Sequence, residues 1–202
     1  MARVDLVEPF AIRSARKCVR ESLMAHGEEV IALKMYHPFP DEGVQPRCPN
    51  CYDDVYKAGE KFDCTVCYGT TFQGGVKELS RMWAMFTNNT DDEQINKRGV
   101  WQSTNRQVQM EANPGLWEND YLIRVRRWSQ DHKPLDFADA YVLGGVTEET
   151  LRTGNQFVQD NNDRVGQRTK ADGLTPDHVI YKVIGRLVSP DFPVLRTDGL
   201  SR

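Results

Sequence analysis

No stretch of the 202 residues stays apolar long enough to cross a bilayer. The first residues, Met1-Ala2-Arg3-Val4-Asp5, also lack the apolar centre of a secretory leader. The chain is therefore expected in a reducing cytoplasm and not in a membrane. Excess charge of one sign is missing too. A net charge of -3 gives no basis for general polyanion binding, although a local basic face remains open. Catalytic signatures are equally scarce. No Gly-x-Ser-x-Gly occurs, and the glycines of 69–75 are not followed by the Lys-Ser or Lys-Thr of a phosphate loop. The four histidines, His26, His37, His132 and His178, are scattered, and none pairs evidently with a cysteine. The acidic clusters Asp91-Asp92-Glu93 and Asp160-Asn161-Asn162-Asp163 lack the glycine and terminal glutamate of a calcium loop. A nuclease-like pair of carboxylates from distant positions is the one arrangement that spacing leaves open. The expectation is a protein that is not an enzyme.

Cysteine is sparse as well, five in all, yet four of the five form two matched pairs. Cys48-Pro49-Asn50-Cys51 and Cys64-Thr65-Val66-Cys67 are separated by twelve residues. A Cys-x-x-Cys turn points two sulfurs the same way, and two such turns supply the four ligands of a closed structural zinc site. Two disulfides, or iron on the same four sulfurs, are the competing readings. Two pairs in register favour one shared ion. Residues 52–63 are long enough for a small hairpin, with Gly59 near its middle, and the glycines of 68–75 bring the chain sharply out of the site. His37 reads as a loop residue, since the cysteines fill the coordination sphere. Cys18 reads as a small buried side chain. Aromatic residues Tyr52, Tyr56, Tyr68 and Phe72 offer contact area for a protein interface, or else pack around the metal knuckle itself.

Elsewhere the pattern is mainly β. A helix is expected over 9–26, with Pro9 in its first turn, Gly27 past its end, and Phe10, Ile12, Ala15, Val19 and Leu23 on one side. Its polar side is rich in Arg and Lys, as solvated faces usually are. Strands are expected over 28–36, 79–87, 99–110, 121–125, 137–143, 157–158 and 179–184, separated by turn signals such as Asn113-Pro114-Gly115. The architecture that follows is an antiparallel β-barrel or sandwich with an N-terminal α-helix and an inserted four-cysteine zinc ribbon. Its divisions are 1–40 for helix and first strand, 41–75 for the ribbon, and 76–202 for the β domain.

Many zinc ribbons bind nucleic acid, so the charge of this one matters. Residues 41–63 carry Asp41, Glu42, Asp53, Asp54, Glu60 and Asp63 against Arg47, Lys57 and Lys61, a poor surface for gripping phosphate. The stripe Arg124, Arg126, Arg127 beside Trp128 is the better nucleic-acid patch, since arginine and tryptophan can stack a base.

The segment Arg47-Cys48-Pro49-Asn50-Cys51-Tyr52-Asp53-Asp54, followed by Cys64-Thr65-Val66-Cys67-Tyr68-Gly69-Thr70-Thr71-Phe72-Gln73-Gly74-Gly75, resembles the zinc motif of a family of tailed-phage neck proteins. Shorter matches at 120–128, 141–146, 164–168 and 176–178 extend the resemblance to about residues 47–183. What it implies is a stopper-like head-to-tail connector subunit, assembled in the host cytoplasm and residing in the virion neck. Its implied partners are further copies of itself in a cyclic ring, portal or adaptor and tail proteins, and DNA passing through the channel without sequence-specific binding. The resembling segment holds the zinc ligands read from the spacing, Cys48, Cys51, Cys64 and Cys67, and the interface candidates Tyr52, Tyr56, Tyr68 and Phe72.

Overall fold

Four consecutive apolar residues, Val30-Ile31-Ala32-Leu33, are buried in the strand β1 (Glu28–Met35), so both of its faces are covered. A strand of this kind belongs at the centre of a fold. The computed structural model describes residues 9–56, 58–59, 63–88, 94–96, 99–101, 106–130, 132–151, 164–187 and 195–196. In chain order the elements are α1 (Pro9–His26), β1, α2 (Pro38–Asp41), β2 (Tyr52–Asp53), β3 (Ala58–Gly59), β4 (Val76–Asn88), β5 (Gln94–Asn96) and β6 (Gly99–Trp101). There follow β7 (Arg106–Glu111), β8 (Tyr121–Trp128), β9 (Pro134–Leu143), β10 (Thr147–Thr150), β11 (Arg164–Gly173), α3 (Ile180–Leu187) and β12 (Leu195–Arg196).

The molecule is mainly β, and its strands close on themselves. Antiparallel pairing runs β1-β8-β9-β11-β7-β4 and returns from β4 to β1, a barrel of six strands. Closure removes the exposed edges that an open sheet would offer. β10 adds to β11 and β12 adds in parallel to β4. Alternate residues of β1 serve two cores. Val30 and Ala32 join Met82, Val108, Leu122 and Leu143 inside the barrel. Ile31, Leu33 and Met35 face outward, where Ile180, Val183 and Ile184 of α3 cover them. That helix replaces the strand expected over 179–184. The β-branched residues there suggested extended chain, but the buried positions recur at i, i+3 and i+4, which is helical spacing.

α1 spans the expected residues and packs over β4, β7 and β11. It ends where Gly27 lets the chain approach β4. A Cβ at Gly27 would lie 2.5 Å from the Ala84 carbonyl oxygen. The packed stripe includes Leu23 and Arg16, which is buried with its Nε donating to the Arg164 carbonyl at 2.7 Å. Cys18 is exposed, contrary to the expectation of a buried thiol. One position is 100° of helix, and Val19, not Cys18, lies on the covered face. Phe10, placed on the apolar side by the pattern, is exposed as well.

β10 and β11 have no counterpart in the strands read from sequence. β11 (RVGQRTKADG) holds few apolar residues to alternate, and its inward position Gln167 is fully buried. Gln167 Nε2 donates to the carbonyls of Glu111, Ala112 and Pro114, and its Oε1 accepts the Leu116 N–H at 2.8 Å. One amide thus satisfies the loop that follows β7. Gln167→Ala is expected to orphan those groups and cost about 2–3 kcal/mol, read as a lower urea midpoint. The segment expected over 99–110 divides into β6, which pairs with β5, and β7, a barrel strand. The strand expected at 157–158 lies outside the described residues.

Candidate metal centre

β1 and β4 are barrel neighbours, with Met35 opposite Val76, and the chain between them forms the cysteine module. The module is therefore an insertion in a hairpin, and the Tyr36 N–H to Gly75 carbonyl bond, at 3.1 Å, closes its base. Each cysteine pair makes the same turn. The carbonyl of Cys48 accepts the N–H of Tyr52 at 3.1 Å, and that of Cys64 accepts the N–H of Tyr68 at 2.8 Å. A bond from the Cys48 N–H to the Thr71 carbonyl ties the first turn to the exit segment. The exit depends on glycine. Gly69, Gly74 and Gly75 all have positive φ, and a Cβ at Gly75 would meet the Cys67 carbonyl oxygen at 2.5 Å. The expected role of these glycines, a sharp return from the site, is what the backbone does.

All four sulfurs are buried and lie within 4.8 Å of one another. Cys48 and Cys64 are 3.9 Å apart and Cys51 and Cys67 3.2 Å, too far for a disulfide bond. A tetrahedron of sulfurs about 2.3 Å from a central ion has edges of about 3.8 Å, so the cluster fits one metal ion. The thiol chemistry agrees. Burial pushes the thiols of Cys51 and Cys67 up; at Cys51 the neighbouring sulfurs add to the rise. At Cys64 burial acts in the same direction, but the N–H groups of Val66 and Cys67 and the adjacent thiols outweigh it and bring the pKa down to about 7. One sulfur ionises readily. Three more thiolates in the same dry space require a cation to neutralise them.

Around the sulfurs there is little else to form a core. Among the described residues, only Val66 packs as a partly buried hydrophobe against the four cysteines. Beside them, the Arg47 guanidinium lies between two rings, 4.2 Å from Phe72 and 4.6 Å from Tyr52, and bonds to Thr71 Oγ1 and Glu42. The aromatic candidates divide accordingly. Phe72 and Tyr68 are buried, and Tyr68 packs against the outer barrel core. Tyr52 is half-buried beneath Arg47, and Tyr56 is exposed on the β2–β3 turn.

His37, read from sequence as a loop residue, and Asp41 and Asp120, given no role at the site, hold the module on the barrel. Asp120 is fully buried; it accepts the N–H groups of Met35 and Trp117, each at 2.7 Å, and lies 3.1 Å from His37 Nε2. His37 also stacks on Trp117. Asp41 accepts from Lys77 Nζ and from the His37 N–H. His37 and Asp120 are 83 positions apart in sequence, and no local motif connects them; only the antiparallel register of β1 and β8 brings them together. Burial alone would raise the Asp41 carboxyl, but the hydrogen bond and charge of Lys77 and the His37 N–H hold it below the ordinary 3.8. A lowered folded value means stability that is fully present above the unfolded pKa and lost as pH falls through the folded one. The stability advantage of wild type over Asp41→Asn is accordingly expected to shrink below pH 3.8, as measured by urea titrations at stepped pH.

The arginine stripe is largely neutralised. Arg124 pairs with Glu28 at 2.5 Å and with Asp139, and lies over the Phe86 ring; Arg126 reaches Asp136 at 3.5 Å. Arg127 is exposed and Trp128 half-buried under Arg81. Among the described residues, no helix is long and apolar enough to cross a membrane. The chain matches no protein-family model and no curated protein.

Proposed function

We propose that this chain is a non-catalytic virion protein of the phage neck, a ring-forming, stopper-like head-to-tail connector subunit whose four-cysteine module is a zinc-stiffened arm that contacts protein. The observation that carries the reading is the placement of the cysteine stretch. The segment that resembles the neck-protein motif is a self-contained projection between two barrel strands, with four converging sulfurs in place of a core. A projection of that design presents a rigid surface while Tyr68 anchors it on the outer barrel core. Zinc is the proposed metal because it takes four thiolates tetrahedrally and leaves no position open. The acidic balance suits a channel that passes DNA without gripping its phosphates. Partners are further copies in a cyclic ring, and portal or adaptor and tail proteins.

The test is native mass and symmetry. Zinc-loaded protein, alone and in isolated particles, is expected to form a closed ring, with one zinc per chain by elemental analysis and no iron–thiolate absorption. A monomer that retards DNA, with affinity falling steeply as salt rises, would replace this reading by a zinc-ribbon nucleic-acid module.

A further inference from the structure

The tip of the cysteine module is a fixed apolar point that stands clear of the other described residues. Val55 and Tyr56, consecutive on the β2–β3 turn, are 83% and 79% exposed. Their backbone is not free to wander, because Asp53 Oδ1 accepts the N–H of Val55 at 2.7 Å and of Tyr56 at 3.2 Å. A tip ordered before binding loses less entropy on docking, and tyrosine is among the residues that carry interface energy. The segment around it is acidic, with Asp53, Asp54, Glu60 and Asp63 against Lys57 and Lys61 in sequence.

The complementary surface lies at the far end of the barrel. β1 and β8 are antiparallel, with Leu33 opposite Tyr121 and Val30 opposite Arg124. The module leaves from the Met35 end of β1, so the turn joining β8 to β9 is at the opposite end. That hairpin exposes Arg127 and Lys133, with Arg126 beside them held 3.5 Å from Asp136 and Leu135 about half exposed. One chain cannot bring its own tip to its own hairpin through the length of the barrel.

We propose that the Val55–Tyr56 tip of one copy docks on the Arg127–Lys133 hairpin of a second copy. The contact is head-to-tail: two different surfaces meet, each copy offers one of each, and repetition generates a ring when the rotation closes. The proposal rests on the ring reading above and names the surfaces that make the ring. Carboxylates around Tyr56 meet Arg127 and Lys133, and Leu135 supplies apolar area for Val55.

Charge reversal tests it on the zinc-loaded full chain by sedimentation across protein concentration. Arg127→Glu/Lys133→Glu and Asp54→Lys are surface changes, each expected to weaken self-association about a hundredfold by facing like charges. Mixing the two variants restores complementarity at every contact, and the mixture is expected to assemble where neither does alone. Variants that assemble like wild type would overturn the contact while leaving the ring intact. Failure of the mixture, with circular dichroism showing both variants folded, would also overturn it. A wild type that stays monomeric at every concentration would remove the ring itself. Assembly unchanged but DNA retention lost in the hairpin variant would reassign the hairpin to nucleic acid.

Discussion

Cys64→Ser is expected to release the metal and unfold residues 41–75 while the barrel stays folded. The asymmetry follows from where each part finds its stability. The barrel has two apolar cores, one inside and one beneath α3, and neither contains a cysteine sulfur. The cluster at the heart of the module has four sulfurs and, among the described residues, one partly buried valine. Structural zinc contributes on the order of 10 kcal/mol to small modules, far more than so small a core can supply. Serine at position 64 removes a thiol whose pKa is brought down to about 7 and leaves three ligands for an ion that needs four. Amide hydrogen exchange is expected to rise throughout 41–75 and to stay slow in β1, β8 and β9. A chelator should do the same to wild type, and so should acid, because protons compete with the metal for all four sulfurs. Tyr68 reaches from the module into the outer core, so a small loss of barrel stability is expected beside the large local one. Unfolding of barrel and module together at one midpoint would show the metal to be integral to the whole fold.

What could be read from the residues alone was whatever is local. Cys48, Cys51, Cys64 and Cys67 announce a site because each Cys-x-x-Cys turn needs nothing beyond its own spacing to aim two sulfurs together. α1 was legible from Pro9 to Gly27 because its start and stop signals and its periodicity agree. β8 was legible because Tyr121, Ile123 and Val125 alternate with other residues in strand period. The failures share one cause. Val179, Ile180, Val183 and Ile184 have a composition that favours strands and a spacing that favours a helix, and spacing prevails once an apolar barrel wall is available to cover. β11 enters the barrel through Gln167 and Thr169, which carry no hydrophobic signal; their place is set by pairing with β7. Arg16 is buried on a helix face that the pattern gave to solvent, since the Arg164 carbonyl meets it there. The mainly antiparallel β fold was legible, but the choice between barrel and sandwich was not, because pairing of β1 with both β4 and β8 is decided far away in sequence.

The same distance effect makes Asp120 the barrel residue whose loss is expected to cost most, about 4 kcal/mol for Asp120→Ala. Its two oxygens hold the end of β1 through the Met35 N–H, the loop before β8 through the Trp117 N–H, and the start of the module through the His37 ring. Alanine would leave two backbone donors buried without acceptors, each a penalty of about 1–3 kcal/mol. Asparagine keeps the shape but turns one oxygen into a donor facing another donor, since Oδ1 serves Met35 and His37 while Oδ2 serves Trp117. Asp120→Asn is therefore expected to recover only part of the loss. His37→Ala removes the ring contact and leaves both backbone bonds, so it should cost less than either change, about 1–2 kcal/mol. The order Ala, then Asn, then His37→Ala in urea midpoints checks the argument; a His37→Ala variant as unstable as Asp120→Ala would mean that the ring, and not the two N–H groups, is what Asp120 is there to hold. A double-mutant cycle between positions 37 and 120 isolates the term they share, and that term is the part of barrel stability that reaches the module.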